Sequence, residues 1–95
     1  MESNVLGFPS MMKLVSLLDT HDVLWFFFDK ELSYEEIFTL LLSSLPEEVI
    51  VEILLICFGE RKRINSKNLI AEVGKIFSNS RIDEAIVVYK KFMAA

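Results

Sequence analysis

Two consecutive helices can be traced in residues 33–59, which read SYEEIFTLLLSSLPEEVIVEILLICFG. Ser33 and Glu36 have the spacing of a capping box, in which each residue's side chain satisfies a backbone N–H group left free at a helix start. A proline suits the first position of a helix, and acids beside it lie near the positive end of the helix dipole. The sequence therefore predicts two helices, from Ser33 to about Ser44 and from Pro46 to the closing Gly59.

The second of these helices is apolar on nearly every side. Glu48 and Glu52, one turn apart, form its polar stripe. A helix with such a narrow polar stripe is typically enclosed by other elements of the fold. We therefore expect this helix to lie at the centre of the bundle.

Two more helices are predicted upstream. Apolar residues at helical spacing indicate a first helix from Pro9 to about Asp19. Thr20 and Asp22 can accept hydrogen bonds from free backbone N–H groups, which predicts a second helix that continues to about Glu31. Its aromatic run also suits a buried strand, but a strand with no pairing partner would leave its backbone polar groups unsatisfied. A helix is therefore favoured.

Two further helices are predicted downstream. Ser66 is the expected cap of a helix that reaches about Ser78, in which Gly74 marks either a weak point or a close approach to another helix. The last helix is expected to be capped by Ser80, with Asp83 three residues later. Together these patterns predict an all-α fold of about six short helices in orthogonal or antiparallel packing.

The chain length indicates a single domain over residues 1–95, with residues 1–8 as a loose N-terminal arm. Hydrophobic residues make up 53% of the chain and aromatic residues 12%. A domain this small has little interior, so we expect some of these apolar side chains to remain on the surface. An apolar surface of this kind is typical of a binding site. The sequence thus favours a protein-protein interaction module, such as an adaptor, a scaffold or an oligomerisation domain. Its expected partner is either another protein or a second copy of itself, in a homodimer.

The aromatic run Trp25-Phe26-Phe27-Phe28 is the main candidate for such a site. Successive helical residues point about 100° apart, so four large rings cannot all face one core. Aromatic residues also anchor many protein interfaces. The predicted partner-binding residues are Trp25, Phe26 and Phe28, together with Tyr89, Phe92 and Met93 near the end of the last helix. The alternative, in which a central helix buries all four rings, stays open.

The charge pattern argues against nucleic acid as the main partner. The formal charge is −4 and the sequence pI is about 4.9, so most of the surface repels phosphate. Positive charge is concentrated in one segment, residues 61–67. This segment predicts an alternative function, in which the chain contacts phosphate or nucleic acid. The candidate anion-binding residues are Arg61, Lys62, Arg63 and Lys67.

Catalytic and metal-binding residues are scarce. The chain has one histidine, His21, and one cysteine, Cys57, and a structural zinc site needs about four nitrogen or sulfur ligands. The apolar neighbours of Cys57 are expected to raise the pKa of its thiol, which makes it a poor nucleophile. The acids that begin the 46–59 helix are explained by the helix dipole. We therefore expect a non-enzymatic protein with no cofactor and no metal.

The single cysteine fits a reducing compartment, which predicts an intracellular location in cytosol or nucleus. Carboxylates interrupt the longest apolar stretch, so no membrane span is expected there.

Two short stretches resemble known families. Residues 45–54, LPEEVIVEIL, resemble the opening of an F-box, which implies docking onto the adaptor of a ubiquitin ligase. Residues 81–89 resemble the second helix of a tetratricopeptide or pentatricopeptide unit, although no second copy is present. The size and helix number are also similar to those of death-fold domains.

Overall fold

The computed structural model describes residues 6–59 and 68–94. Within these ranges the chain forms five α-helices and one short 3-10 helix, and none of these residues lies in a strand. The all-α bundle is therefore confirmed. The α-helices are α1 (Phe8–Thr20), α2 (Tyr34–Ser44), α3 (Glu47–Phe58), α4 (Leu69–Ser80) and α5 (Ile82–Ala94), and the 3-10 helix is Leu24–Phe28. Most of the predicted N-terminal arm, residues 1–5, lies outside the described residues.

The predicted boundaries of α2 and α3 are confirmed at their capped ends. The backbone N–H of Ser33 donates to a Glu36 carboxylate oxygen at 2.8 Å, and the Ser33 hydroxyl accepts from the backbone N–H of Glu36 at 3.1 Å. Gly59 ends α3 with a φ of 74°, a conformation that side chains disfavour. Pro46 differs slightly from the prediction, because it lies at the N-cap position and α3 begins at Glu47.

The aromatic run forms a 3-10 helix, so the predicted second α-helix is wrong. α1 continues to Thr20, whose hydroxyl donates to the Ser16 carbonyl at 2.9 Å instead of capping a new helix. Asp22 then adopts a φ of 59°, which breaks the helical path. A 3-10 helix has three residues per turn, so side chains three apart share a side. Leu24 and Phe27 accordingly both point inward.

The core is centred on the pair α2 and α4. The ring of Phe77 is fully buried and meets Phe27, Phe38 and Tyr34 edge-on, with ring centroids 5.4, 6.3 and 6.5 Å away. At Gly74 the two helices come close, since an added Cβ would lie 2.8 Å from Cγ of Glu35. Gly74 is therefore a site of close helix approach, the second of the two roles predicted for it.

α5 follows α4 after a single-residue corner. Ser80 belongs to α4, where its hydroxyl donates to the Phe77 carbonyl at 3.0 Å, so its predicted role as the cap of the last helix is wrong. Arg81, with a φ of 58°, makes the corner and lets α5 fold back onto α1. The predicted cap at Ser66 lies outside the described residues.

α3 lies at the edge of the bundle, so its predicted central position is wrong. It packs against α1 and, less extensively, against α4. Of the described residues of α3, Ile53 alone is buried. The centre is instead built by α1, α2 and α4, which hold most of the large, fully buried side chains.

Candidate interaction surface

The outward side of α3 exposes large aliphatic side chains. Val51 and Leu55 are 48% and 43% exposed and lie one turn apart, on the opposite side of the helix from Ile53. Leu54 and Phe58 beside them are half-buried. We call Val51, Leu54, Leu55 and Phe58 the α3 face.

Carboxylates border the α3 face at the start of the helix. Glu47, Glu48 and Glu52 are exposed and line a shallow depression together with Val51. Glu52 also borders a second depression, in the seam between α1 and α3, whose apolar lining includes Leu17 and Ile56. The two depressions thus adjoin the same carboxylate and give the surface both an apolar and an acidic component.

The structure separates the rings of the aromatic run. Trp25 and Phe28 are 60% and 51% exposed, whereas Phe26 is buried, so the expectation that Phe26 points outward is wrong. The indole Nε1 of Trp25 donates to the Asp22 carbonyl at 3.0 Å, which holds the exposed ring in place. The difference in exposure arises from the 3-10 geometry, in which Trp25 and Phe28 lie on the same side of the helix and Phe26 lies on another.

The predicted residues near the end of α5 differ in burial. Tyr89 is half-buried and packs against the core, while Phe92 and Met93 are exposed. Met93 has the helical spacing of Ile82, Ile86 and Tyr89, yet it is 63% exposed. Because α5 packs against the 3-10 helix, the two predicted groups of binding residues belong to neighbouring elements. Their role in binding stays a prediction.

The groups considered for chemistry are the thiol of Cys57 and possible metal ligands among residues 6–59 and 68–94. Burial raises the pKa of the Cys57 thiol to about 12, which confirms the expected effect of its apolar neighbours and keeps it protonated at neutral pH. Within these residues, no three acidic, histidine or cysteine side chains are grouped as metal ligands. The candidate anion-binding residues lie outside the described residues, so the phosphate hypothesis stays a prediction. They are Arg61, Lys62, Arg63 and Lys67.

Sequence reasoning missed the outward residues of α3. A signal was present, because Val51 lies three residues after Glu48, and Leu55 lies three residues after Glu52. Residues at this spacing are neighbours on a helix surface, so Val51 and Leu55 had to lie beside the polar stripe and therefore near solvent.

Comparisons of this chain with protein-family models, with curated proteins and with solved structures find no match. The similarity of residues 45–54 to an F-box opening and of residues 81–89 to a helical repeat thus rests on those short stretches alone. None of the described helices has the length and apolar character that crossing a membrane requires. The function must therefore be argued from the surface itself.

Proposed function

We propose that this chain is a non-enzymatic protein-interaction module that binds through an apolar helical surface. The observation that carries the proposal is the exposure of Val51 and Leu55 on α3, the most apolar helix of the fold. Water disfavours contiguous apolar surface, and a partner that covers the α3 face removes it from water. The exposed rings of Trp25, Phe28 and Phe92 add further area that a partner can cover.

Site-specific photo-crosslinking tests this proposal. A photoreactive residue in place of Leu55 is expected to form crosslinks to a second protein chain, either a partner in extract or another copy of this one. Unlabelled wild-type chain in excess should compete for those crosslinks, whereas the variant Val51→Ser/Leu55→Ser should not.

The matched control carries the same photoreactive residue in place of Lys75 on α4, which is also exposed and has the polar residues Ser78 and Asn79 one turn later. It should give few crosslinks. A strictly monomeric chain in sedimentation at micromolar concentration, with no crosslinks from position 55, would remove the proposal.

A further inference from the structure

We propose that the occupant of the α3 face is a basic amphipathic helix from another protein. This inference rests on the proposed interaction function and names the class of partner. It is carried by the combination of an exposed aliphatic pair with exposed carboxylates on the same helix that form no ion pair with another described residue.

The apolar part of the surface is a short aliphatic ridge. Val51 and Leu55 are separated by one helical turn, so they lie along the axis of α3. α3 has 12 residues and is about 18 Å long at the usual rise per residue. A partner helix places apolar residues on one side at the same spacing and can pack them against Val51 and Leu55.

The charged part of the surface favours a partner with positive charge. Glu47, Glu48 and Glu52 are exposed, and no lysine or arginine of residues 6–59 and 68–94 forms an ion pair with them. From Ser33 to Gly59 the chain contains five acidic residues and no basic one. Lysine or arginine beside the apolar stripe of a partner would therefore meet carboxylates that form no ion pair with another described residue.

A second copy of this chain is the main competing occupant of the same surface. Two α3 faces packed in parallel would bring the carboxylates of Glu47, Glu48 and Glu52 together with those of the other copy, which is repulsive. In antiparallel packing these carboxylates would meet the C-terminal end of the other α3, where the helix dipole is negative but the sequence continues into three basic residues, Arg61, Lys62 and Arg63. Sedimentation separates the two occupants, because a dimer that Val51→Ser/Leu55→Ser abolishes would overturn the proposal of a separate basic partner.

The seam between α1 and α3 gives the partner's apolar side chains a second place to lie. Leu17 and Ile56 line its apolar part and Glu52 borders it, while Lys13 lies on the α1 side and repels a further basic residue there. A helix along α3 can thus place its basic residues beside Glu47 and Glu48, which line the depression that Lys13 does not, with its apolar stripe over Val51 and Leu55.

Two synthetic peptides test the proposal against the full chain. Both have about 18 residues and the same leucine stripe, and their polar sides carry lysine in one and glutamate in the other. We expect the lysine peptide to bind at least about tenfold more tightly in fluorescence anisotropy, and its affinity to fall as salt is raised. Equal binding of the two peptides, or preference for the glutamate peptide, would overturn the proposal.

Variants assign the binding to the α3 face. Val51→Ser/Leu55→Ser is expected to weaken binding of the lysine peptide at least about tenfold, and Glu47→Gln/Glu48→Gln/Glu52→Gln by a similar factor. The control Asp29→Asn/Glu31→Gln/Glu84→Gln removes the same number of charges elsewhere and should leave the affinity nearly unchanged. An equal loss in this control would mean that net charge alone attracts the peptide, which would overturn the proposal.

The outcomes separate this inference from the function on which it rests. Competed crosslinks from position 55, with no preference for the lysine peptide, would exclude a basic helix and leave the interaction function standing. A lack of crosslinks together with a lack of peptide binding would exclude both. Circular dichroism of each variant verifies that the helices remain folded, as expected for changes at exposed positions.

Discussion

α3 and α4 are both 12 residues long, but the helix with more apolar residues buries fewer of them. α4 is amphipathic and buries Val73, Gly74, Ile76 and Phe77. α3 is the more apolar helix, yet it buries Ile53 alone among its described residues. The apolar content of a helix therefore does not decide its position, because burial also requires neighbouring helices on more than one side.

The difference arises from what each helix packs against. α4 has α2 against it at the closely packed Gly74, and its Phe77 ring is surrounded by aromatic rings from other elements. Among the described elements, α3 meets α1 and, less extensively, α4, and the carboxylates of Glu48 and Glu52 are exposed. Val51 and Leu55, which lie beside those carboxylates on the helix, are exposed as well.

The largest expected effect is at the centre of α4. Phe77→Ala removes a fully buried ring and leaves a cavity, which should lower the free energy of unfolding by about 3–5 kcal/mol. The control Phe92→Ala, at a ring that is 80% exposed, should change it by less than about 0.5 kcal/mol. Urea denaturation measures both, and similar losses in the two variants would contradict the described core.

A smaller effect is expected within α3 itself. Ile53→Ala should lower the free energy of unfolding by about 2–3 kcal/mol, because Ile53 is fully buried. Leu55→Ala, two residues later on the outward side, should lower it by less than about 0.5 kcal/mol. If Leu55→Ala costs as much as Ile53→Ala in urea denaturation, the outward side of α3 is covered within the monomer.

The smallest expected effect concerns the close contact between α2 and α4. Alanine in place of Gly74 gains helix propensity but puts its Cβ against Cγ and the backbone of Glu35. We expect a net loss of about 1 kcal/mol in the free energy of unfolding, measured by thermal or urea denaturation. The double variant Gly74→Ala/Glu35→Ala removes the closer of these contacts and should recover part of the loss. A stabilised Gly74→Ala single variant would contradict the close approach.

Local patterns were sufficient for much of the fold and for part of the candidate site. The capping box at Ser33 and the glycine at 59 involve residues a few positions apart, so the sequence alone predicts the bounds of α2 and α3. The apolar neighbours of Cys57 along α3 also predicted the raised pKa of its thiol, although the burial that raises it is completed by packing against other helices. The exposure of Trp25 and Phe28 was expected from the crowding of four consecutive rings, but the burial of Phe26 was not. That difference depends on the 3-10 geometry, which the aromatic run does not encode by itself.

The sequence by itself determined that this chain is helical, where most of its helices begin and end, and that it carries more apolar side chain than a small domain can enclose. The tertiary structure decided which side chains remain outside. It brought α4 to the centre through the contact at Gly74 and left α3 packed mainly against α1 among the described elements. The physical reason is that helix formation depends on hydrogen bonds and caps between residues close in the chain, whereas burial depends on contacts between residues far apart in it.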